Sequence, residues 1–325
     1  MVHNETVGRC LAFVDAASVG LDRLTARDTR AVELVLVGDR PLAEAAFLSG
    51  AGPDSLAIDA TKLTSACPLD LAGIVATAHW TASCAIRVTL QLPSDPAATA
   101  YLQRMDVLRR MPARTQIVGR VPPDARADQR GRLMEVTALN EKNVNDLSER
   151  LGPLVTEFYK GRSEAGAAVF RACSELMSNA TEHGLSDRGA FMAAQLHTGR
   201  TTGAPRLEFA VCDTGMGIMN HLHQNPKYAY LFRAELAIAK AMEAGVSGVK
   251  SGKRGHGLSD VIADTSDHGR VDFQIRSGRG EVRVAGTPEG RKISMNDRPD
   301  QTSGTWAWLT HYLPSYRQTV VQSGQ

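Results

Sequence analysis

The stretch ELMSNATEHG, residues 175–184, places three polar side chains four residues apart among mostly small and apolar neighbours. Positions i, i+4 and i+8 lie on nearly the same side of an α-helix, so Glu175, Asn179 and His183 are predicted to form one polar stripe. A stripe of this kind is typical of a solvated helix face as well as of a binding site. The stretch alone leaves both interpretations open, and its surroundings must decide.

The composition excludes several classes of protein. Apolar residues make up 43% and charged residues 22% of the 325 residues, as in an average folded protein. No apolar run approaches the roughly 20 residues of a membrane helix, and the amino terminus lacks an export signal, so we expect a cytoplasmic protein without membrane contact. The 37 basic and 35 acidic residues predict no nucleic-acid footprint. Five cysteines without a CxxC pair indicate reduced thiols rather than disulfides or zinc.

The length predicts two domains, each with its own core. Residues 31–112 alternate strand and helix patterns, which predicts an α/β domain built from βαβ units after an extension at 1–30. The strand patterns lie at 32–38, 55–60 and 85–92, and the helix patterns lie at 42–50, 69–80 and 98–111. Residues 113–131 are rich in Arg, Pro, Asp and Gly without hydrophobic periodicity, which predicts a linker.

The second domain is predicted at 132–316, followed by a tail at 317–325. Its pattern predicts an α+β two-layer sandwich, a sheet with helices on one face. Strands are expected at 132–139, 190–198, 206–213, 271–278, 281–286 and 304–314. Helices are expected at 141–160, over the 175–184 stretch, at 229–244 and after a glycine turn at 255–257.

Two glycine turns in this half are candidates for a nucleotide site. In VCDTGMGI, 211–218, an apolar strand runs into Asp213, and Gly215 and Gly217 follow. Such glycines tolerate positive φ and let a ligand approach the backbone, and the amine of a purine would give a buried carboxylate its donor. A plain turn capped by Asp213 is the alternative. In GHGLSDV, 255–261, amides at a helix start suit phosphates.

Two better-known phosphate loops do not fit. GVKSGKR, 248–254, is one residue too short for a Walker A loop and carries Arg254 in place of Ser or Thr. GMGIMN, 215–220, has Asn220 where a dinucleotide fingerprint needs its third glycine.

The ordered set ELMSNATEHG, DTGMGI, GHGL and GTWAWLTHYLP resembles the boxes of the GHKL ATP-binding superfamily, over roughly residues 131–314. The resemblance implies the Bergerat ATP-binding fold with ATP and Mg²⁺ as cofactors. It assigns Mg²⁺ to Asn179, general-base catalysis to Glu175 and adenine to Asp213, with His183 in a supporting position. The further ATP-binding positions that it implies are Gly215, Gly217, Ile218, Lys253, Arg254, Gly255, His256, Gly257, Leu258 and Thr305.

Residues 219–254 are predicted to form a lid between the last two boxes, with Lys250, Lys253 and Arg254 as its cations. A cationic lid would neutralise charge on a triphosphate, whereas a solubilising loop would have the same composition. His221 and His223 are expected to be surface residues rather than metal ligands, because two imidazoles alone make a poor metal site.

The upstream half lacks a helical segment with a phosphoacceptor histidine, so we expect no ordinary sensor histidine kinase. The box around Asn179 is closer to anti-sigma-factor serine kinases of partner-switching systems. Residues 55–78, followed by 85–105, resemble a STAS domain and imply a STAS-like domain at 31–112, but Cys67, Pro68 and Leu69 stand where that family has Asp-Ser-Ser. Thr64 and Ser65 lie out of register, so the resemblance implies a docking or regulatory module rather than a phosphorylated switch.

Three hypotheses of function follow. The first is a regulator that hydrolyses ATP or transfers its phosphate to a serine or threonine of a partner protein. The second is a nucleotide-gated interaction switch without catalysis. The third is a scaffold that has lost ATP, against which Glu175, Asn179 and Asp213 argue. The expected partner is a regulatory protein. Association of two copies of the chain into a homodimer is a further possibility that the sequence does not decide.

Overall fold

The computed structural model describes residues 31–38, 54–124, 131–182, 189–199, 204–248 and 257–313. These residues form a mixed α/β structure with one parallel and one antiparallel sheet. The predicted extension at 1–30, the helix at 42–50 and the tail at 317–325 lie outside the described residues. None of the helices in the described ranges is both long and apolar enough to cross a membrane.

The first sheet has the order β1-β2-β3-β4, and all its neighbouring strands are parallel. The strands are β1 Ala31–Gly38, β2 Ser55–Leu63, β3 Arg87–Gln91 and β4 Gln116–Val118. Between them run helices α1 Pro68–Ser83, α2 Pro96–Arg104 and α3 Val107–Arg110. Strand β4 lies inside the predicted linker at 113–131, so the sheet extends beyond residue 112. Three residues are too few to show strand periodicity in the sequence.

The second sheet is antiparallel and has the order β5-β6-β7-β9-β8. Its strands are β5 Leu133–Leu139, β6 Ala190–His197, β7 Arg206–Asp213, β8 Arg270–Thr287 and β9 Gly290–Tyr312. The helices of this half are α4 Val144–Phe158, α5 Ser163–Glu182, α6 Gly217–His223, α7 Ala234–Ala241 and α8 Gly257–Asp267. Helices α4, α5 and α8 contribute to one core with the sheet. The predicted strands and helices at 132–160 and 190–213 are thus confirmed to within a few residues.

The last two strands differ from the prediction. The expected strands at 271–278 and 281–286 are one strand, β8, and β9 begins at Gly290 rather than near residue 304. The β8–β9 ribbon folds back on itself: Gln274 Nε2 donates to Glu281 Oε2 at 2.8 Å, and a Cβ at Gly286 would lie 2.9 Å from Val271 Cγ1. Glycines and Pro299 interrupt the strand pattern in the sequence and concealed this continuity.

Helix α1 is buried on all sides, because each sheet covers one of its faces. Ile74 and Val75 of α1 belong to one hydrophobic cluster together with Leu34 and Ile58 of the first sheet and with residues of the second sheet. The second-sheet members are Leu133, Val136, Phe191, Ala193, Ala210, Cys212, Trp306 and Trp308. The core of the first half is therefore shared with one face of the second sheet, and a second cluster on the other face of that sheet belongs to the second half alone. A helix that is mostly apolar and buried on all sides is typical of one enclosed by protein.

Replacement of Ile74, which is fully buried in α1, tests the shared core. Ile74→Ala should lower the free energy of unfolding by about 2–5 kcal/mol through lost burial and a residual cavity. Because α1 packs against both sheets, the unfolding transitions measured by circular dichroism and by tryptophan fluorescence should coincide, and both midpoints should fall by the same amount. Val35→Ala on β1, where the side chain is 43% exposed, is the control, with a change within about 0.5 kcal/mol. A second transition that Ile74→Ala leaves unshifted would contradict the shared core.

Candidate functional site

A cavity of about 680 Å³ lies between α5, the turn after β7, α6, α8 and the end of β9. This volume is within the range of about 300–1,000 Å³ that is usual for small-ligand sites. The structure brings seven of the predicted positions together in its lining: Glu175, Asn179, Asp213, Gly217, Ile218, Leu258 and Thr305. Glu175 and Asn179 of the polar stripe therefore face this cavity rather than a plain solvated surface.

The remaining predicted positions divide into two groups. Gly215 contacts Asp213 directly, and Gly257 is the first residue of α8, as the predicted glycine turn required. The positions that lie outside the described residues are His183, Lys250, Lys253, Arg254, Gly255 and His256. Their roles stay predictions.

Helix α5 presents its polar stripe because its other faces are apolar. Cys173 and Met177 are fully buried in the core, one turn apart. Glu175 and Asn179 then project toward the cavity, where the Asn179 Nδ2 lies 3.4 Å from the Glu175 Oε1. This long bond uses the amide nitrogen and leaves the amide oxygen as an acceptor.

The cavity lining is acidic. Glu182, Asp260 and Asp264 join Glu175 there, and Arg171 is the only arginine or lysine among the described lining residues. Arg171 is already paired, since its Nη2 lies 3.0 Å from an Asp264 carboxylate oxygen. Burial, followed by the nearby Glu182 carboxylate, raises the pKa of Glu175 above its usual value. A carboxyl with a raised pKa is better matched to proton transfer near neutral pH.

Asp213 ends β7 as a buried carboxylate, 5% exposed, held by backbone amides. The Gly215 N–H donates to Asp213 Oδ1 at 2.8 Å, and the Thr305 amide also donates to this carboxylate. Burial raises the pKa of Asp213 to about 7, although both amide hydrogen bonds oppose the rise. Such a group is a strong acceptor whose charge the protein only partly compensates.

Besides the acidic lining residues, two residues next to Asp213 and the turn that follows it were missing from the sequence prediction. Gly304 has φ +69°, and a side chain there would collide with Asp213. Ser277 Oγ lies between the turn after β7 and Gly304, 2.8 Å from the Ile218 nitrogen and 3.0 Å from the Gly304 oxygen. Gly304 could have been found, because a glycine at the start of a predicted strand indicates a close approach of other atoms to the backbone. A single serine within a strand gives no such indication.

The lid segment is partly helical. Helices α6 and α7 share a small cluster of their own, formed by Leu222, Tyr228, Leu231 and Ala237. His223 belongs to this unit, with its Nε2 2.7 Å from the Leu231 carbonyl oxygen. His221, by contrast, lines the cavity. The prediction that His221 is a plain surface residue is therefore wrong.

A buried histidine anchors α8, which carries the cavity residues Leu258 and Asp260. His311 Nε2 lies 3.2 Å from the Thr265 carbonyl oxygen, and its Nδ1 lies 2.8 Å from the Tyr159 hydroxyl. Burial lowers the pKa of His311 to about 4. The ring is therefore neutral at pH 7, donates to Thr265 from Nε2 and accepts from Tyr159 at Nδ1.

No protein-family model matches this chain, and no curated protein matches it. A function for the cavity has to be inferred from its own residues.

Asp213→Asn should stabilise the empty protein at high pH. The unfolded carboxyl loses its proton near 3.8 and the folded one near 7, so the folded state binds more protons between these values and wild-type stability falls as the pH rises. The gain in the free energy of unfolding of Asp213→Asn over the wild type should grow from near zero at about pH 4 to as much as ~4 kcal/mol above about pH 7. Melting temperatures at several pH values measure it, with the exposed Asp146→Asn on α4 as control. A gain that is independent of pH would contradict a buried, titrating Asp213.

Proposed function

We propose that this cavity binds ATP with Mg²⁺ in the manner of GHKL proteins, and that the chain is a cytoplasmic regulatory protein. The second sheet with its helices would then be a Bergerat fold, and the first sheet a STAS-like module. The observation that carries the proposal is the convergence of Asp213, Glu175 and Asn179 on one cavity of nucleotide size. Asp213 comes from a strand and the other two from α5, so this convergence is a property of the fold.

The buried Asp213 carboxylate fits an adenine. An exocyclic amine would donate to it and supply the compensation that the two backbone amides leave incomplete. Gly304 keeps a side chain away from this carboxylate, and Gly217, with φ +77°, keeps one out of the turn that follows it. A planar base is therefore the ligand group that suits this end of the cavity.

The other end of the cavity fits a metal-bound polyphosphate. Its described lining is acidic, so a free triphosphate would meet like charges there. Mg²⁺ prefers oxygen ligands and usually keeps phosphates and waters in its shell; when bound, it would neutralise the phosphate oxygens. The amide oxygen of Asn179 would hold it, with Glu175 one helical turn away.

Glu175 is the residue that we assign to catalysis. Its raised pKa and its half-buried position beside the cavity suit a general base. It would accept the proton of an attacking water in ATP hydrolysis, or of a partner's serine or threonine hydroxyl in phosphoryl transfer. In either reaction the attacking oxygen would have to be held next to this carboxylate and in line with the γ-phosphorus, whose bond to the bridging oxygen breaks as ADP leaves.

A nucleotide-gated switch without turnover is the second candidate function. The lid segment exposes aromatic side chains, with Phe232 82% and Tyr230 60% exposed. Exposed aromatic residues are enriched at protein interfaces, so movement of the lid would alter a protein-binding surface. The partner would be a regulatory protein in this case as well.

The first half supports a docking role rather than that of a phosphorylated switch. Cys67, at the start of α1, is buried, and its backbone N–H donates to Asp70 Oδ2 at 2.8 Å. Burial, reinforced by Asp70, raises the pKa of the Cys67 thiol well above its usual value. A neutral, buried thiol at this position is a helix cap and not a phosphate acceptor.

Isothermal titration with Mg-ATP tests the binding site. Asp213→Asn should weaken binding at least ~10-fold because the acceptor for the amine loses its charge. In the wild type, affinity should fall about tenfold per unit as the pH drops below about 7, since protonation of Asp213 removes that acceptor. Asp146→Asn should bind like the wild type. If Asp213→Asn bound Mg-ATP as tightly as the wild type at every pH, the assignment of Asp213 would be refuted.

Phosphate release separates the two candidate functions. Under the catalytic proposal, Glu175→Gln should lower turnover by ~10²- to 10⁴-fold while Mg-ATP still binds. Glu164→Gln, an exposed substitution on the same helix, is the matched control and should keep wild-type turnover. Binding without turnover in the wild type, alone and with candidate partner proteins, would favour the switch.

A further inference from the structure

Ser277 lies on β8 beside the cavity and is 3% exposed. The pairing of β8 with β9 shifts register directly after it, between Ser277 and Gly278. Ser277 therefore stands where the ribbon leaves regular pairing, opposite Thr305 of β9. This position places its hydroxyl next to the turn that follows Asp213.

The Ser277 hydroxyl links the start of α6 to β9, next to the Thr305 amide that donates to Asp213. It accepts a hydrogen bond from the Ile218 N–H at 2.8 Å and donates one to the Gly304 carbonyl oxygen at 3.0 Å. Only a group that is both donor and acceptor can make this pair of bonds. The start of α6 is thus tied to β9 through one oxygen atom.

Both neighbouring glycines are required by this arrangement. A Cβ at Gly217 would come within 2.7 Å of Ser277 Oγ, and Gly217 has φ +77°. Gly304, with φ +69°, lies against Asp213. The hydroxyl therefore fixes the separation between the turn at 213–218 and the strand that donates to Asp213.

We propose that Ser277 is a positioning residue that sets base specificity, by holding Asp213 and the backbone at Gly217 and Ile218 at the separation that an adenine needs. This inference rests on the proposed ATP site. At the position of the adenine 6-amine, which would donate to Asp213, guanine carries a carbonyl oxygen that an ionised carboxylate repels. Loss of the hydroxyl removes a hydrogen bond from the part-buried Ile218 N–H and one from the Gly304 carbonyl, and allows the turn to move away from β9.

The test compares the affinities of Mg-ATP and Mg-GTP by isothermal titration at about pH 8, where Asp213 is ionised. Ser277→Ala should weaken Mg-ATP about 10-fold and Mg-GTP less than about 3-fold, so that selectivity falls. Ser277→Thr keeps the hydroxyl and should restore selectivity. Thr302→Val is the matched control, because the buried Thr302 hydroxyl has no hydrogen-bond partner among the described residues.

Equal weakening of both nucleotides, or unchanged selectivity in Ser277→Ala, would overturn the positioning role and leave the ATP site standing. Absence of binding of either nucleotide to the wild type would instead overturn the proposed function. If Ser277→Ala does not fold, Ser277→Cys provides the measurement, because a thiol is a weak donor and acceptor of similar size. It should lose part of the selectivity, and full wild-type selectivity would overturn the proposal.

Discussion

The enclosure of helix α1 between two sheets is the constraint on which the rest of the structure depends. Strand β7 is buried at every position because α1 covers one face and the helices of the second half cover the other. Dense packing on both sides leaves a strand little freedom. Asp213, at the end of β7, is therefore presented to the cavity from a rigid support, with the first half of the chain acting as its backing.

Two buried titratable groups near the cavity act on stability in opposite directions. Between about pH 4 and 6.5 the folded chain keeps a proton on Asp213 that the unfolded chain has lost, and lacks a proton on His311 that the unfolded chain has gained. These contributions to the pH dependence cancel over that range. Above it, the charge on Asp213 is a cost to the empty protein that a donor ligand would offset.

The sequence predicted the parts of the fold that have local patterns. The amphipathic helix α4, the strands β5 to β7 and the polar stripe of α5 follow from spacing alone, and so does the meeting of Glu175 and Asn179 on one side of a helix. The shared core could not be predicted, because the sequence of a mostly apolar helix such as α1 does not show what covers it. Ser277 was also hidden, since its role arises from contacts with residues 59 and 27 positions away.

The outer half of β9 affects how readily one molecule can pair with another copy of itself. Up to residue 305 this strand pairs only with β8 within the described chain, so it presents an open sheet edge with exposed Ile293 and Met295. Open edges invite intermolecular pairing and aggregation. Arg291, Lys292 and Pro299 place charge and a missing backbone donor along this edge, and such features oppose edge-to-edge pairing.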